Sequence, residues 1–326
     1  MRRRVWRHGT VSAVGFGAMS FGGFYGPTNE AESMRTMARA LELGVDFWDT
    51  ANVYGEGLCE RLIGKFLAED PSRRSKVTLG TKFAIRRRED GARFFDNSVA
   101  HIREALKGSM QRLGVDHVDL YYVHRVDKAV PIEDTVGELG RLVQAGAIGL
   151  SEVAPDTLRR AHATYPIAAV QSEYSLWTRN PELGLIQACS ETGALLVAFS
   201  PLARAYLTGT LQNVETFDGK DFRHANPRFQ DINWRRNRDR LDAFLALAKS
   251  WRLKPATLAI AWALAKAPQI VPIPGTRAAA HLEETAAAAE IDLSDAQIAA
   301  VERALPVGFA AGERYSEQQW VGIQKY

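Results

Sequence analysis

The sequence predicts a single α/β domain folded as a (β/α)₈ barrel, and three observations carry that expectation. Its 326 residues, 46% of them hydrophobic, suffice for one barrel of roughly 250 residues plus insertions. Apolar strand-like runs alternate with segments of helical period about eight times, the pattern of a parallel sheet with crossover helices. Polar residues capable of chemistry stand at the ends of successive strand-like runs, where barrels of this kind build their sites. The domain is expected to span residues 1–326.

Taken in order, Val11 to Met19 reads as a short strand running into the glycine-rich loop Phe21-Gly22-Gly23-Phe24-Tyr25-Gly26. Gly15-Phe16-Gly17 has the start of a dinucleotide fingerprint, but Ser20 stands where the third glycine belongs and no helical pattern follows at once. Residues 30–43 read as a helix with Met34, Met37, Ala38 and Leu41 on one face, leading into a strand from Val45 to Trp48. The alternation continues with helix 58–69, strand 76–81, helix 98–112, strand 117–123, helix 132–144 and strand 147–150. Helices 155–164 and 182–191 follow, with strands 167–171 and 194–199. A helix over 240–251 presents Leu241, Phe244, Leu245 and Ala248 on one face, an alanine-rich helix covers 256–266, and Gln269 to Ile273 supplies the final strand. Two connections, 83–97 and 204–236, are long for a compact domain and read as walls of a pocket on the catalytic face.

Composition narrows the function. A formal net charge of +3 lends no support to a nucleic-acid or membrane partner. The arginine clusters at Arg2 to Arg4, Arg86 to Arg88, and Arg235, Arg236, Arg238 and Arg240 read as solvated faces. Cys59 and Cys189 are too few and too far apart for a disulfide framework or a zinc motif, so a reducing cytoplasm is expected. Thr10 to Gly26 is broken by glycines and lacks the apolar core of a signal peptide, and Lys266 interrupts the best apolar run. The oligomeric state is left open.

The stretch Asp49-Thr50-Ala51-Asn52-Val53-Tyr54-Gly55 organises the chemistry. A carboxylate at a strand end and a phenol five residues on can share one pocket. A phenol with a reference pKa of about 10 is a poor acid at neutral pH, so it calls for a nearby cation, and a lysine there calls for a carboxylate to hold it. The next two strand-like runs end in Lys82 and His124. Taken singly, these four residues read more naturally as a turn cap, a packed phenol, a surface lysine and a core histidine; their joint order favours a site.

The order Asp, Tyr, Lys, His within DTANVYG, TLGTKF and DLYYVHRVD resembles the aldo-keto reductase superfamily. Further matching strings follow in that family's order: GLSEVAP at 149–155, AAVQSEYSLW at 168–177, LVAFSPLARAYLTG at 196–209 and VPIPGTR at 271–277. The likeness runs from about residue 3 to the C-terminus. It implies Tyr54 as general acid for carbonyl reduction, Lys82 as the cation lowering its pKa, Asp49 as the partner of Lys82, and His124 as the group orienting the carbonyl oxygen. It also implies that Ser151, Glu152 and Gln171 lie where the nicotinamide carboxamide is held, with Phe199 beside the cofactor. Glu152 departs from the family's frequent asparagine, and a carboxylate cannot donate to the carboxamide oxygen.

Ser200, Leu202 and Arg204 resemble the pyrophosphate-binding segment, although Ala203 and Ala205 stand where glycine is common. Pro274-Gly275-Thr276-Arg277 reads as the opening of a helix continuing from Ala278 to Ala289, a place suited to an anion. By resemblance Gly275, Thr276 and Arg277, followed by His281 and Glu284, would meet the adenosine 2′-phosphate of NADPH. His281 and Thr285 stand where arginine and asparagine are common. The expected activity is NADPH-dependent reduction of a small-molecule aldehyde or ketone. Tyr25, Phe83, Trp177, Tyr206, Tyr315 and Trp320 are the candidates for an apolar substrate lining. The alternative is a regulatory or sensor subunit that binds NADPH with little turnover. A short-chain reductase is disfavoured because no tyrosine has a lysine four residues later.

Overall fold

The structure, a computed structural model, describes residues 1–142, 146–211 and 213–324. The chain opens with an antiparallel hairpin, β1 (Arg3–Trp6) and β2 (Gly9–Ser12). The barrel strands begin with β3 (Phe16–Gly17), β4 (Phe47–Asp49) and β5 (Thr78–Phe83). A second hairpin, β6 (Ile85–Arg87) and β7 (Arg93–Phe95), interrupts the series. It resumes with β8 (Leu120–Val123), β9 (Ala147–Ser151), β10 (Ile167–Glu173), β11 (Leu195–Phe199) and β12 (Ile270–Pro272). The helices are α1 (Glu30–Glu42), α2 (Leu58–Ala68), α3 (Val99–Leu113), α4 (Ile132–Leu139), α5 (Pro155–Thr164), α6 (Leu185–Thr192), α7 (Asp231–Ser250), α8 (Pro255–Lys266), α9 (Ala279–Ala286) and α10 (Asp295–Ala304).

The eight barrel strands pair in parallel in the order β3-β4-β5-β8-β9-β10-β11-β12. The two ends meet: the amides of Gly15 and Gly17 donate to the carbonyls of Pro272 (2.9 Å) and Pro274 (3.2 Å), and Gly17 bridges Gly275 in parallel. This closure explains the Gly15-Phe16-Gly17 string. A Cβ on Gly15 would lie 2.9 Å from both the Phe47 carbonyl and the Ile273 side chain, so only glycine lets the first and last strands touch. The string is a barrel seam and not a nucleotide fingerprint.

Two apolar layers form because strands bury alternate residues on opposite faces. Phe47, Leu120, Tyr122, Ala169, Leu195, Val197 and Val271 fill the barrel together with Trp6 and Val11 of the first hairpin. That hairpin is tied to the start of β4, where the Ser12 amide donates to the Asp46 carboxylate at 2.7 Å. It therefore stoppers the N-terminal end of the barrel. A larger cluster lies between strands and helices. Asn29 and Ser98 cap α1 and α3 by accepting from Glu32 and His101 amides, and Ser294 with Gln297 forms a capping box on α10. Helix α8 is buried from Ala256 through Leu264, as an all-round apolar helix must be; α7, α9 and α10 surround it.

Several expected boundaries move, each for a physical reason. The run from Val11 to Met19 divides into β2 and β3. Helix α7 starts at Asp231, nine residues before its apolar period becomes visible, because its first turns bury only Trp234 and Asn237. The arginines from 235 to 240 thus lie on a helix, and the long connection ends before residue 231. The connection 83–97 is not irregular, since β6 and β7 pair within it. Pro274-Gly275-Thr276-Arg277 does not open a helix: Gly275 is still part of the barrel seam, and α9 starts at Ala279. Helix α4 ends at Leu139, and positions 143–144 of the expected 132–144 helix lie outside the described residues. No helix among the described residues is long and apolar enough to cross a membrane.

After α10 the chain returns across the C-terminal ends of the strands. Asn237 exchanges two hydrogen bonds with Ala311 (2.9 and 2.7 Å), Asn226 donates to the Arg314 carbonyl at 2.6 Å, and the Gln324 amide donates to the Glu152 carbonyl at 3.0 Å. The Arg314 guanidinium pairs with Glu152 and lies 3.7 Å from Glu173. All three side chains are buried. Removing one partner of such a cluster strands the others without compensation, so Arg314→Met is expected to destabilise the fold by about 3–5 kcal/mol, measured by urea denaturation; a loss under about 1 kcal/mol would show that water reaches these carboxylates.

Candidate active site

Four elements deliver the central side chains. Asp49 is the last residue of β4, Lys82 lies on β5 opposite Tyr122 of β8, and His124 follows β8. Tyr54 stands in the turn before α2, its amide bonded to the Ala51 carbonyl at 3.1 Å. Two glycines set the height of that turn. A Cβ on Gly22 would lie 2.8 Å from the Gly55 amide nitrogen, and Gly55 has φ +56°. The loops after β3 and β4 can therefore pack backbone against backbone, which holds Tyr54 over the strand ends.

Lys82 is fully buried, and its ammonium has three acceptors for three protons. It donates to Asp49 Oδ1, to the Thr50 carbonyl at 2.8 Å, and to the Tyr54 hydroxyl oxygen at 3.4 Å. Asp49 Oδ2 accepts from Gln171 Nε2 at 2.8 Å, so both carboxylate oxygens are used. Because Lys82 approaches the phenol oxygen as a donor, the phenol hydrogen is left to point elsewhere. The Tyr54 ring sits edge-on to His124 (5.7 Å between centroids) and to Phe24 (5.9 Å).

Burial dominates the electrostatics. It pushes the Asp49 carboxyl up and the Lys82 ammonium down, each opposed by the other's charge. Burial first and the Asp49 charge second hold the Tyr54 phenol well above its ordinary value, with Arg125 opposing. The expectation that Lys82 lowers this pKa is therefore overridden by desolvation, and the phenol is protonated throughout the neutral range. Burial, then Arg125, Lys82 and Arg93, hold His124 well below the usual imidazole range, so its ring is neutral. His124 Nδ1 has no hydrogen-bond partner among the described residues.

Asp49, Tyr54 and His124 face a cleft of about 930 Å³. Of the other sequence-predicted residues, Ser151, Gln171, Phe199, Ser200, Leu202 and Arg204 lie on its wall, as do Gly275, Thr276, Arg277 and His281. Lys82 lies behind the wall. Glu284 lies off it, on α9, where its carbonyl accepts from Thr257 at 2.8 Å. Thr285 bonds back to the His281 and Leu282 carbonyls, both at 3.1 Å, which turns it into its own helix. Glu152 is also off the wall. It serves the C-terminal segment through Arg314 and accepts from the Glu173 amide at 3.0 Å, a use that the family comparison in sequence could not suggest.

The wall after β11 is conformationally unusual. Ser200, Ala203, Arg204 and Ala205 all have positive φ, from +49° to +74°, which accounts for the glycines expected at 203 and 205 and costs about 1 kcal/mol or more per non-glycine residue. Arg204 is buried against Glu173 at 2.7 Å. Arg277 donates to the Pro27 carbonyl. Of the aromatic candidates only Tyr25 and Tyr315 line the cleft. Phe83 stacks on Tyr121, Trp177 and Tyr206 pack on each other, and Trp320 meets Tyr315 edge-on at 5.7 Å. Sequence reasoning missed Arg86, Arg87, Arg93 and Arg125 on the wall. The signal is present, since Arg125 follows His124 directly and the others lie within the long connection 83–97, but Arg86 and Arg87 read as part of a solvated face, and nothing in the sequence singles out Arg93 or Arg125.

Comparison with known proteins agrees with this architecture. The aldo/keto reductase family model matches residues 13–306. The chain is 41% identical over 311 residues to the probable aldo-keto reductase 1 of Glycine max, covering 94% of this chain and 88% of that protein. It is 39% identical over 313 residues to the Schizosaccharomyces pombe aldo-keto reductase yakc, whose name specifies NADP(+), covering 94% and 92%. The solved glycerol dehydrogenase of Gluconobacter oxydans superposes with a TM-score of 0.84 at 27% identity, covering 93% and 94% of the two chains.

The buried neutral histidine has a consequence for stability. In the unfolded chain its imidazole titrates near 6.5, so between that value and its depressed folded value the unfolded state binds more protons. The stability linked to His124 is thus present above about pH 6.5 and is lost as pH falls toward the folded value; His101, also lowered by burial, acts in the same direction. The urea midpoint is expected to drop between pH 7 and pH 5, and to drop less in His124→Gln. Equal drops in the two proteins would mean that His124 is solvated.

Proposed function

The chain belongs to the aldo/keto reductase family, and from that membership we propose that it is an NADPH-dependent reductase converting an aldehyde or ketone to its alcohol with Tyr54 as the general acid. The observation that carries the reading is the contact of the Tyr54 hydroxyl with Lys82, itself held by Asp49, on the wall of a cleft that His124 shares. An NADP(H) cofactor and small carbonyl substrates are those of the family.

The residues fit such a cofactor. The left-handed residues Ser200 and Ala203 to Ala205 make a backbone concavity suited to an anion, and Arg277 supplies a cation at the far end of the cleft. In this reading Ser200, Leu202 and Arg204 meet the pyrophosphate. Arg204 keeps its tie to Glu173, so its part is to shape the cradle as much as to donate. Gly275, Thr276, Arg277 and His281 meet the 2′-phosphate. Glu284 would need to turn toward the cleft to join them. Ser151 and Gln171 hold the carboxamide, to which Gln171 offers its Oε1 as acceptor while its Nε2 serves Asp49, and Phe199 packs beside the ring. The cofactor, when bound, supplies the hydride that goes to the carbonyl carbon.

The chain's own residues manage the proton. Tyr54 donates its phenol hydrogen to the substrate oxygen as negative charge develops there. Lys82 does little for the resting phenol, but it stabilises the phenolate left behind, where its full charge is realised. Asp49 keeps Lys82 charged and aimed. His124, neutral, offers a ring N–H to the same substrate oxygen without competing for the proton. The high phenol pKa keeps the acid form populated at neutral pH, which suits reduction over oxidation.

Tyr54→Phe removes only the proton, so kcat for reduction is expected to fall about 10²- to 10⁴-fold while NADPH affinity, read by fluorescence titration, stays close to that of the parent. A variant with near-normal kcat would overturn the assignment. Arg277→Ala is expected to weaken NADPH by about 1.5–3 kcal/mol, the value of a hydrogen bond to a charged group, and NADH far less. Equal losses for the two cofactors would place Arg277 away from the 2′-phosphate.

A further inference from the structure

The cleft has a second cationic region that the cofactor reading does not use. The segments assigned to the cofactor phosphates follow β11 and β12. Arg87 and Arg93 lie on the hairpin after β5, and Arg125 follows β8, next to His124; β5 and β8 are neighbours on the other side of the barrel. All three arginines line the cleft.

Their charges are left open. Arg86, beside them, pairs with Asp96 at 2.8 Å. Among the described residues Arg87 donates only to the Gly91 carbonyl at 3.2 Å, and Arg125 to the His124 carbonyl at 2.6 Å and the Ser151 hydroxyl at 3.3 Å. No carboxylate among the described residues lies within ion-pair distance of Arg87, Arg93 or Arg125. Of the carboxylates on the cleft wall, Asp49 is committed to Lys82 and Gln171. Arg87 and Arg93 also stand directly opposite each other as a registered cross-strand pair. Like charges in that position destabilise a hairpin, and the arrangement is one that an anion between them would relieve.

We propose that the carbonyl substrate carries an anionic group, a carboxylate or a phosphate, received by Arg125, Arg93 and Arg87 while its carbonyl lies at Tyr54 and His124. The proposal rests on the carbonyl-reductase reading and narrows it to a substrate class. Guanidinium forks suit both anions, since their paired donors match two oxygens at once. The placement also directs the substrate: Arg125 follows His124 immediately, so the anion sits on the β5 and β8 side, away from the cradle after β11. Positive charge at the mouth further raises the local concentration of such substrates, an effect that salt weakens.

The test compares matched aldehydes differing in charge: 4-carboxybenzaldehyde against methyl 4-formylbenzoate, and glyceraldehyde 3-phosphate against glyceraldehyde, followed by NADPH consumption. For at least one pair the charged member is expected to have the higher kcat/KM, by about 10- to 100-fold, and this preference should shrink at high salt. In Arg93→Met with Arg125→Met the preference should collapse toward one, through KM. Arg93→Met alone, a rim position, keeps the test available if the double variant does not fold. A preference absent in both pairs, or unaltered by the substitutions, overturns the proposal. If no aldehyde is reduced, the reductase reading fails, and calorimetry still decides the anion site: 4-carboxybenzyl alcohol and glycerol 3-phosphate, titrated into the protein with NADP⁺, should bind more tightly than benzyl alcohol and glycerol, and lose that advantage in Arg93→Met. Equal binding of charged and uncharged alcohols overturns it.

Discussion

The buried ion pair between Asp49 and Lys82 is the constraint around which the catalytic face is arranged. Moving a carboxylate and an ammonium out of water costs several kcal/mol each, and their attraction offsets that only when every remaining proton and lone pair finds a partner. Here the Lys82 ammonium has Asp49, the Thr50 carbonyl and the Tyr54 oxygen, and Asp49 has Gln171 as well. Those partners come from the ends of β4, β5 and β10 and from the turn after β4. The pair is satisfied only if the barrel closes in this register, which couples the position of the phenol to the fold itself.

Local strain and distant support recur across the face. The positive φ at Ser200 and from Ala203 to Ala205 is borne by non-glycine residues, so something outside the loop must hold it. Arg204 among them is anchored to Glu173, Glu173 also faces Arg314, and Arg314 pairs with Glu152. The C-terminal segment thus reaches back through two buried carboxylates to brace the loop after β11. Glu152, a departure from the residue frequent in the family, makes sense as part of that brace. Tyr315 and Gln319 of the same segment then form the roof of the cleft.

Charge is distributed unevenly around the cleft. On the β11 and β12 side Arg204 is neutralised by Glu173, and Arg277 rests on a backbone carbonyl. On the β5 and β8 side Arg86 is neutralised by Asp96, whereas Arg87, Arg93 and Arg125 have no carboxylate partner among the described residues. The central groups respond to the β5 and β8 side: Arg125 and Arg93 help to hold His124 neutral, and Arg125 moderates the rise of the Tyr54 pKa.

The sequence by itself determined the barrel and the residues at its strand ends. Strand and helix periods are local properties, and Asp49, Lys82 and His124 could be read because each terminates an apolar run. Tyr54 was legible from the spacing that follows Asp49. Boundaries were less so where burial is sparse, as in the first turns of α7, where only Trp234 and Asn237 turn inward. Only the tertiary structure decided matters that depend on which chain segments meet. Gly15 and Gly17 became a seam because the first strand touches the last. Glu152 became a brace because Arg314 arrives from 162 residues away. Phe83, Trp177 and Tyr206 became core because their rings pack inward, and Arg125 became part of the cleft because the loop after β8 turns it there. The Tyr54 phenol is high because desolvation and Asp49 outweigh the neighbouring cation, and the depth at which a group is buried is set by the assembled fold, not by the residues beside it in sequence.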